Sequence, residues 1–266
     1  MKDNFIADSA SLGKNVIIGK GCIIKENVKI SDYCIIYDNV IIEENTFIGP
    51  FSIIGEPTYS YYDYDNGYIF SETRIGSNSI IRSHSVIYSD VLIGKNFQTG
   101  HKVVIREKSI IGENCRIGTS SDIQGYCSIG NYVSLHSSVI IGQKSKIDDF
   151  VWIFPNVVLT NDPNPPSNEL YGITIKKYAV IATGSIILPG IEIGENAVVG
   201  AFSLVKKDVP SGMLVVGYPA KEICPANKII DRKTHKKAYP WPLNFDRGMP
   251  WSGIGFDKWS KNQKGR

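Results

Sequence analysis

Residues 128–147 read SIGNYVSLHSSVIIGQKSKI, and in this stretch an aliphatic residue recurs at every sixth position. The four positions are Ile129, Leu135, Ile141 and Ile147. An α-helix repeats its apolar face about every 3.6 residues and a half-buried strand at every second residue, so neither explains a period of six. A fixed period of this kind indicates a repeat architecture, in which stacked units share one continuous core.

The same frame extends through most of the chain. Counting in sixes gives three blocks, at positions 6 to 54, 75 to 159 and 175 to 205, in which only Thr99 is not aliphatic. The next residue is often glycine, which suits a tight corner because it tolerates dihedral angles that a Cβ atom forbids. The fourth residue after the aliphatic one is usually small or β-branched. Each hexad is therefore predicted to form a short strand and a corner, with its large aliphatic side chain pointing inward.

Three hexads close a triangular coil of eighteen residues, and such coils stack as a parallel β-helix. We letter the three faces of this prism a, b and c, starting from Ile6. The sequence predicts an all-β protein of about ten coils, with two protruding loops at residues 55–74 and 160–174 and an irregular C-terminal tail. The expected domains are the β-helix at residues 1–221 and a basic, Trp-rich extension at 222–266. Both loops should leave from the same edge of the prism if the coil phase is kept.

Composition and charge narrow the expected location and partners. No apolar run approaches the length of a membrane span and the first ten residues lack a signal-peptide core, so we expect a cytoplasmic protein without a membrane partner. Four cysteines occupy the fourth-residue position of a hexad and are expected to be buried thiols, neither disulfides nor metal ligands. They are Cys22, Cys34, Cys115 and Cys127.

The net charge of +3 is unevenly distributed. Residues 221–266 carry eleven Lys and Arg against four Asp and Glu, together with Trp241, Trp251 and Trp259. A basic tail can indicate nucleic-acid binding, but these aromatic segments are expected to pack on a surface or on a neighbouring subunit. We therefore expect anionic small molecules, and no nucleic acid, as partners.

Residues eighteen apart should stack in columns separated by roughly 4.8 Å, the spacing of strands. The column directly after the b position changes from basic Arg82 through His136 to the small residues Ala182 and Gly200. A phosphate could bind at Arg82, and the reaction could occur at His136. At the small residues an extended ligand chain could lie close to the backbone.

Two further groups of residues lie where the frame is interrupted. Gln143 and Asn161 should be direct neighbours after the c position, Asp162 stands at the root of the second loop, and His136 lies on the preceding corner of the coil that holds Gln143. The first loop is rich in tyrosine, which suits either stacking on a base or sugar or packing on a neighbouring subunit. Its tyrosines are Tyr59, Tyr61, Tyr62, Tyr64 and Tyr68.

From about residue 6 to 221, this repeat resembles that of the left-handed β-helix acyltransferases with hexapeptide repeats. The resemblance implies a left-handed coil and a homotrimer with active sites between subunits. The segment VVGYPAK at 215–221 is similar to the motif that ends their coenzyme A site, which implies acetyl-CoA as the acyl donor. By this resemblance the pantetheine arm would pass Ala182, Gly200 and Ala201. Lys206 and Lys221 would meet phosphates, and Pro219 would lie against adenine.

The acceptor is indicated by three further segments: VVLTNDPNPPS at 157–167, the Tyr-rich insertion after three coils, and residues 97–119. They resemble N-acetyltransferases of nucleotide-linked amino sugars, above all those acting on dTDP-3-amino-3,6-dideoxyhexoses, whose products enter surface glycans such as lipopolysaccharide or S-layer glycan. A nucleotide diphosphate would explain Arg82 among His84 and His101. Tyrosines of the first loop, Tyr62 among them, could clasp thymine or the sugar.

Acyl transfer to an amine requires the neutral amine near the thioester carbonyl and an acceptor for one proton. Asn161, Asp162 and Gln143 could orient the sugar amine, and Asp162 could also attract the ammonium form and pass on its proton. His136 is the natural general base if one is needed, although the leaving thiolate can accept the proton instead.

Two other activities are weighed against this one. An O-acetyltransferase of a sugar or another small acceptor is the main alternative, although members of this fold that acetylate hydroxyls often carry a histidine on the long loop, and 160–174 has none. A zinc enzyme resembling carbonic anhydrase is a lesser alternative, conceivable from His84, His101 and His136 but without paired His spacing. No metal is predicted.

Overall fold

The computed structural model describes residues 3–63 and 67–264. In it the chain winds into a parallel β-solenoid of ten triangular coils, so that successive strands lie on faces a, b and c in turn. The predicted all-β architecture is confirmed, and it is consistent with a left-handed β-helix. Two residues separated by one coil pair in register, as Ile117 does with Leu135.

Most strands are two or three residues long, as expected for one short strand in each hexad. The strands of face a are Phe5–Ile6, Ile23–Ile24, Val40–Ile42, Thr73–Ile75, Val91–Ile93, Ser109–Ile111, Ser128–Ile129, Lys146–Ile147, Thr174–Ile175 and Glu192–Ile193. The strands of face b are Ser11–Leu12, Lys29–Ile30, Phe47–Ile48, Ile80–Ile81, Gln98–Thr99, Arg116–Ile117, Ser134–Leu135, Trp152–Ile153, Val180–Ile181, Val198–Val199, Met213–Gly217 and Ala220–Pro225. The strands of face c are Ile17–Ile18, Ile35–Ile36, Ile53–Glu56, Val86–Tyr88, Val104–Ile105, Asp122–Ile123, Ile140–Ile141, Val158–Leu159, Ile186–Ile187 and Leu204–Val205.

The coil phase is kept across both insertions. Ile75 pairs with Ile42 across the first loop, and Ile175 pairs with Ile147 across the second. Both loops therefore leave the prism at the edge between faces c and a, as predicted. A short 3-10 helix, Tyr59–Tyr61, forms within the first loop.

The core is a column of inward aliphatic side chains that each coil shares with its neighbours. From the second coil onward these side chains are at most 3% exposed, whereas Ile6 and Leu12 in the first coil are 40% and 44% exposed because only one neighbouring coil covers them. The small fourth residues are buried as well, and their polar atoms contact carbonyl groups of the next coil. The thiol of Cys34, for example, lies 3.1 Å from the carbonyl oxygen of Gly49. All four hexad cysteines are free and buried, as predicted.

The glycines after the inward aliphatic residues have a different cause from the one expected. Apart from Gly55 at the start of the first loop, none of them has a positive φ; that conformation occurs two residues later, as at Asn96 and Tyr132. The glycines are needed because neighbouring coils approach closely there. A Cβ atom at Gly118 would lie 2.3 Å from the carbonyl carbon of His136. The prediction that these glycines serve the corner dihedral angles is therefore wrong.

The C-terminal extension folds back on the coils. The hairpin formed by Met213–Gly217 and Ala220–Pro225 extends face b beyond the expected domain boundary at 221. Further 3-10 turns form at Ala226–Lys228 and Trp241–Leu243, and the chain ends in an α-helix, Phe256–Lys264. The tail is thus less irregular than predicted.

An aromatic ladder along the edge between faces a and b receives this tail. Tyr132, Phe150 and Tyr178 stack with ring centroids 5.1 and 5.2 Å apart. Trp251 of the tail is fully buried beside Phe150, and the indole of Trp241 donates a 3.0 Å hydrogen bond to the Tyr178 carbonyl. The expectation that the tail packs on a surface is confirmed, and the surface is that of its own coils.

Two adjacent isoleucines allow a test of the prediction that every sixth residue points into the core. Ile111 is 2% exposed and Ile110 is 56% exposed in the same strand, Ser109–Ile111. Ile111→Ala should lower the free energy of unfolding by about 2–5 kcal/mol because it leaves a cavity in the core. Ile110→Ala should change it by less than about 0.5 kcal/mol. Denaturant unfolding of both variants measures this, and equal losses would contradict the frame.

Candidate active site

A groove of about 280 Å³ runs along face b and joins two of the predicted site residues, Arg82 and His136. It crosses four coils, and its floor includes Gly100 and Gly118, which lack side chains. The predicted column from Arg82 to His136 is therefore present as one continuous surface. A second arginine, Arg116, also lines this groove.

Arg116 was missed by the sequence reasoning because only the column directly after the b position was followed. It occupies the outward position of the strand Arg116–Ile117, two residues before Gly118. Reading the outward positions of face b as a second column would have placed it beside Arg82 and His136.

Thr99, the one polar residue of the aliphatic frame, orients Arg82. Its hydroxyl accepts a 2.8 Å hydrogen bond from the backbone N–H of Arg82, and its carbonyl oxygen accepts a bond from the guanidinium group. Thr99 itself is buried. The threonine side chain thus bonds the backbone of Arg82, and the main-chain carbonyl at this position receives its guanidinium group.

The two histidines expected near Arg82 have different surroundings. His101 Nδ1 lies 2.8 Å from Ser83 Oγ, in the column next to Arg82. His84 has a φ of 61° and stacks on Phe51 with the ring centroids 5.1 Å apart, which gives it a structural role at the corner. Substrate binding by either histidine stays a prediction.

His136 is half-buried, and its imidazole stacks on Phe154 with the centroids 4.6 Å apart and the planes 13° from parallel. Burial lowers the pKa of His136 below its ordinary value of 6.5. The imidazole is therefore mostly neutral at pH 7 and can accept a proton or a hydrogen bond.

The loop residues lie on a different edge of the prism. Ile141 pairs with Leu159, a register that places Gln143 beside Asn161 as predicted. His136 follows a strand of face b and Asn161 follows a strand of face c, so that face c lies between them. One chain alone therefore does not bring His136 and Asn161 together.

Asp162 organises its own loop. Its carboxylate accepts hydrogen bonds from the Ser167 hydroxyl at 2.7 Å, from the Ser167 backbone N–H at 2.9 Å and from the Asn164 backbone N–H at 3.0 Å. The hydroxyl of Ser167, followed by these backbone donors, holds the pKa of Asp162 below its usual range. An anionic side chain with these partners suits positioning of the loop better than transfer of a proton.

Three of the predicted coenzyme residues line one cavity of about 500 Å³ at the C-terminal end of the prism: Lys206, Pro219 and Lys221. Ala182 is half-buried and Ala201 is exposed on the face b side.

Gly200 does not offer the open space that was expected. A Cβ atom there would lie 2.2 Å from Cγ1 of Val216, so the hairpin occupies this direction. The glycine is required by the approach of the hairpin, and a bulky residue at this position would disturb the fold.

The tyrosine loop packs partly on its own chain. Tyr61 and Tyr68 contact Phe70, which stacks on Tyr37 with the centroids 5.6 Å apart. Tyr62 is 54% exposed, and its hydroxyl donates a 2.8 Å hydrogen bond to Glu56, which raises the pKa of Tyr62 to about 12.

Tyr59 of the same loop is 76% exposed. Tyr64 lies outside the described residues. Tyr59 and Tyr62 thus remain available for a ligand or a second subunit, so both readings of this loop stay open.

Face c carries a feature that the sequence reasoning did not single out. Its outward positions are aliphatic in nine coils and hold Asp122 in the sixth, where Oδ1 is buried without a hydrogen-bond partner in the described chain. Burial raises the pKa of Asp122, which the Gln124 side chain and the charge of Arg106 oppose only in part. The aliphatic residues are Ile17, Ile35, Ile53, Val86, Val104, Ile140, Val158, Ile186 and Leu204.

Another cavity lies away from all of these residues. It measures about 790 Å³ and separates the C-terminal helix from the edge between faces a and b. Size alone is a weak argument for function, because this cavity holds none of the predicted site residues.

Within residues 3–63 and 67–264, no cluster of three His, Cys, Asp or Glu side chains could hold a metal ion. In the same part of the chain, no helix has the length and apolar character needed to cross a membrane.

The stacking of His136 on Phe154 leads to a titration experiment. Phe154→Ala should move the pKa of His136 upward toward 6.5, because it opens the buried side of the ring to water. An NMR titration of the imidazole C–H signals, assigned with His136→Asn, measures the shift. An unchanged pKa in a folded Phe154→Ala protein would contradict this account.

Comparison with known proteins agrees with the fold. The family model of the bacterial transferase hexapeptide (six repeats) matches residues 21–56 and 172–207. A galactoside O-acetyltransferase from Escherichia coli is 33% identical over 112 residues, which cover 39% of this chain and 54% of that enzyme. A serine acetyltransferase from Bacillus pumilus is 35% identical over 106 residues, which cover 40% of this chain and 48% of that enzyme. The matches thus span about half of the length of these relatives.

Among solved structures, an N-acyltransferase from Bacillus cereus in complex with dTDP and coenzyme A is 25% identical and covers 53% of this chain and 80% of that one. The TM-score of this pair is 0.29. The chain thus carries the bacterial transferase hexapeptide repeat in two segments of its stacked coils.

Proposed function

We propose that this protein is an acetyl-CoA-dependent N-acetyltransferase that acts on the amine of a nucleotide-linked amino sugar. A dTDP-3-amino-3,6-dideoxyhexose is the expected acceptor, in the synthesis of a surface glycan. One observation carries the proposal: the groove on face b holds Arg82 at one end and His136 at the other, with Arg116 one coil before His136.

The two arginines of the groove suit a diphosphate. Guanidinium groups bind phosphate oxygens in a bidentate manner, and both Arg82 and Arg116 line the groove. The contacts to Thr99 hold Arg82 in one orientation before any ligand binds. Less conformational entropy of this side chain is therefore lost on binding.

The lysine-lined cavity at the C-terminal end of the prism suits the phosphates of a coenzyme. Lys206, Lys207 and Lys221 line that cavity against Asp208 and Glu222, which leaves one excess positive charge. Three coil steps separate Arg82 from His136, and three more separate His136 from Gly200, or roughly 14 Å in each direction at strand spacing. Donor and acceptor could therefore approach His136 from opposite ends.

In the reaction the amine nitrogen forms a bond to the carbonyl carbon, and the bond from that carbon to sulfur breaks. The thiolate that leaves can accept the proton of the amine, so no side-chain base is obligatory. His136 can accept this proton as well, because its lowered pKa keeps the ring neutral at pH 7. Asn161 and Gln143 would orient the amine, and Asp162 would hold the loop that carries Asn161.

A homotrimer would complete this site. His136 and Asn161 lie on opposite sides of face c, so residues of two copies are needed to surround one substrate. Apolar columns exposed on a soluble prism favour association, and the aliphatic outward column of face c supplies one. We assign this column to the contact between subunits.

Acetylation of a hydroxyl is the second candidate, and the named relatives favour it. The galactoside relative is named an O-acetyltransferase, and the serine relative is named for an amino acid that carries a hydroxyl group. Against this candidate, residues 160–174 contain no histidine to activate a hydroxyl.

A thiol-release assay with acetyl-CoA distinguishes these functions. Panels of dTDP- and UDP-linked amino sugars should release coenzyme A, whereas serine, galactosides and amino sugars without a nucleotide should release little. Turnover of serine or a galactoside alone would establish the second candidate and contradict the first.

Variants in the same assay test how the proton is removed. If positioning dominates, Asn161→Ala and Asp162→Asn should each lower kcat/KM by roughly 10–1000-fold, and His136→Asn should cost much less. His235→Asn, in the exposed tail, is the matched control and should be neutral. An inactive His136→Asn beside a nearly normal Asp162→Asn would show that His136 is the required base.

The pH dependence of stability tests whether face c, which carries Asp122, forms the contact between subunits. Because burial raises its pKa above 3.8, the trimer should gain stability from Asp122 as the pH falls and lose it as the pH rises through the raised value. Asp122→Asn should therefore raise Tm at pH 8 by about 2–4 °C and flatten the pH dependence.

Thermal unfolding from pH 4 to pH 8, with the mass in solution measured alongside, checks this result. Asp8→Asn, exposed in the first coil, is the control. A lower Tm or a smaller assembly for Asp122→Asn at pH 8 would show instead that the carboxylate is paired across the interface.

A further inference from the structure

A small apolar pocket of about 230 Å³ lies on face b beside His136 and is built half by the coils and half by the tail. Five of its six lining residues are aromatic, and none is charged. They are Trp152, Phe154, Val180, Tyr239, Trp241 and Phe245. The pocket has no part in binding the diphosphate or the coenzyme phosphates described above.

The tail holds this pocket in shape. Trp152 of the coil meets Trp241 and Phe245 of the tail edge to face, with centroids 5.7 and 5.3 Å apart. Trp241 is only 8% exposed and is anchored by its hydrogen bond to the Tyr178 carbonyl. Its walls are therefore fixed before a ligand enters, which favours binding.

The position of the pocket relates it to the reacting centre. Phe154 forms part of its wall and also stacks on the ring of His136. In the column along face b, Phe154 lies between His136 and Ala182. On the proposed path, a thioester that is carried past Ala182 toward His136 must pass this wall.

The chemistry of the lining selects the part of the substrates that would enter. A sugar hydroxyl or a phosphate would lose its water without gaining a partner among aromatic carbons, which is costly. An acyl chain carries no such cost. A cavity of about 150 Å³ is enough for benzene, so this pocket exceeds the needs of a single acetyl methyl group.

Trp152 adds one polar feature. Its indole nitrogen is buried and has no hydrogen-bond partner within residues 3–63 and 67–264. A buried donor of this kind generally has an acceptor in the functional state. A carbonyl oxygen of the acyl group could accept this hydrogen bond.

We propose that this pocket binds the acyl group of the donor, and that it favours short acyl chains of about four to six carbons over acetyl. This inference rests on the proposed function for its acyl-CoA donor and amine acceptor, and it replaces acetyl by a longer acyl group as the preferred group. The tail thereby sets the size of the group that is transferred. The reaction is otherwise unchanged: the carbon–nitrogen bond forms, the carbon–sulfur bond breaks, and the amine proton goes to the thiolate or to His136.

Calorimetric titration of the full chain with coenzyme A, acetyl-CoA, butyryl-CoA and hexanoyl-CoA tests this without a known acceptor. Butyryl-CoA should bind about tenfold more tightly than acetyl-CoA, because two further methylene groups leave water. Phe245→Ala removes a wall of the pocket and should bring this ratio close to one, while the affinity for coenzyme A itself stays the same.

Phe256→Ala is the matched control, since it truncates an aromatic residue of the tail that packs on Trp251 and does not line the pocket. It should keep the ratio of the wild type. Equal or weaker binding of butyryl-CoA to the wild type would overturn the acyl-pocket inference and leave the acetyltransferase proposal standing. A protein that binds none of the four compounds would overturn both.

Discussion

The stacking of one coil on the next at a register of eighteen residues is the constraint on which the rest of this structure depends. Each coil is too thin to bury its own aliphatic residues, so the inward column is dry only where neighbours cover it, as the exposure of Leu12 in the first coil illustrates. Close approach of the backbones then requires glycine at Gly118 and at equivalent corners. The rigid prism that results holds outward side chains in straight columns.

The candidate site on this architecture is shaped by departures from the repeat. Thr99 interrupts the aliphatic frame, and its hydroxyl accepts a hydrogen bond from the backbone N–H of Arg82. The second insertion is shaped by Asp162, and the tail closes an aromatic pocket beside Phe154. The solenoid supplies the spacing, and a few non-repeating residues supply the chemistry.

The period of six was enough to predict the fold, the phase across both loops and the column from Arg82 to His136, because each follows from counting residues along a rigid repeat. Packing that depends on the tail could not be derived in this way. The contact of Val216 with the Gly200 position and the pocket at Phe245 both result from chain outside the hexad frame. Asp122 could not be singled out from the sequence because polar residues are common at outward positions of a strand. It is unusual only because the other outward positions of face c are aliphatic.

A crystal structure of the protein with coenzyme A and a dTDP-linked amino sugar would test the central claim most directly, which is that donor and acceptor meet on face b. The account predicts the diphosphate within hydrogen-bonding distance of Arg82 and Arg116 and the coenzyme sulfur at the level of Phe154, with Asn161 supplied by a neighbouring subunit. A nucleotide bound in the large cavity beside the C-terminal helix, or a coenzyme far from Lys206 and Lys221, would contradict it.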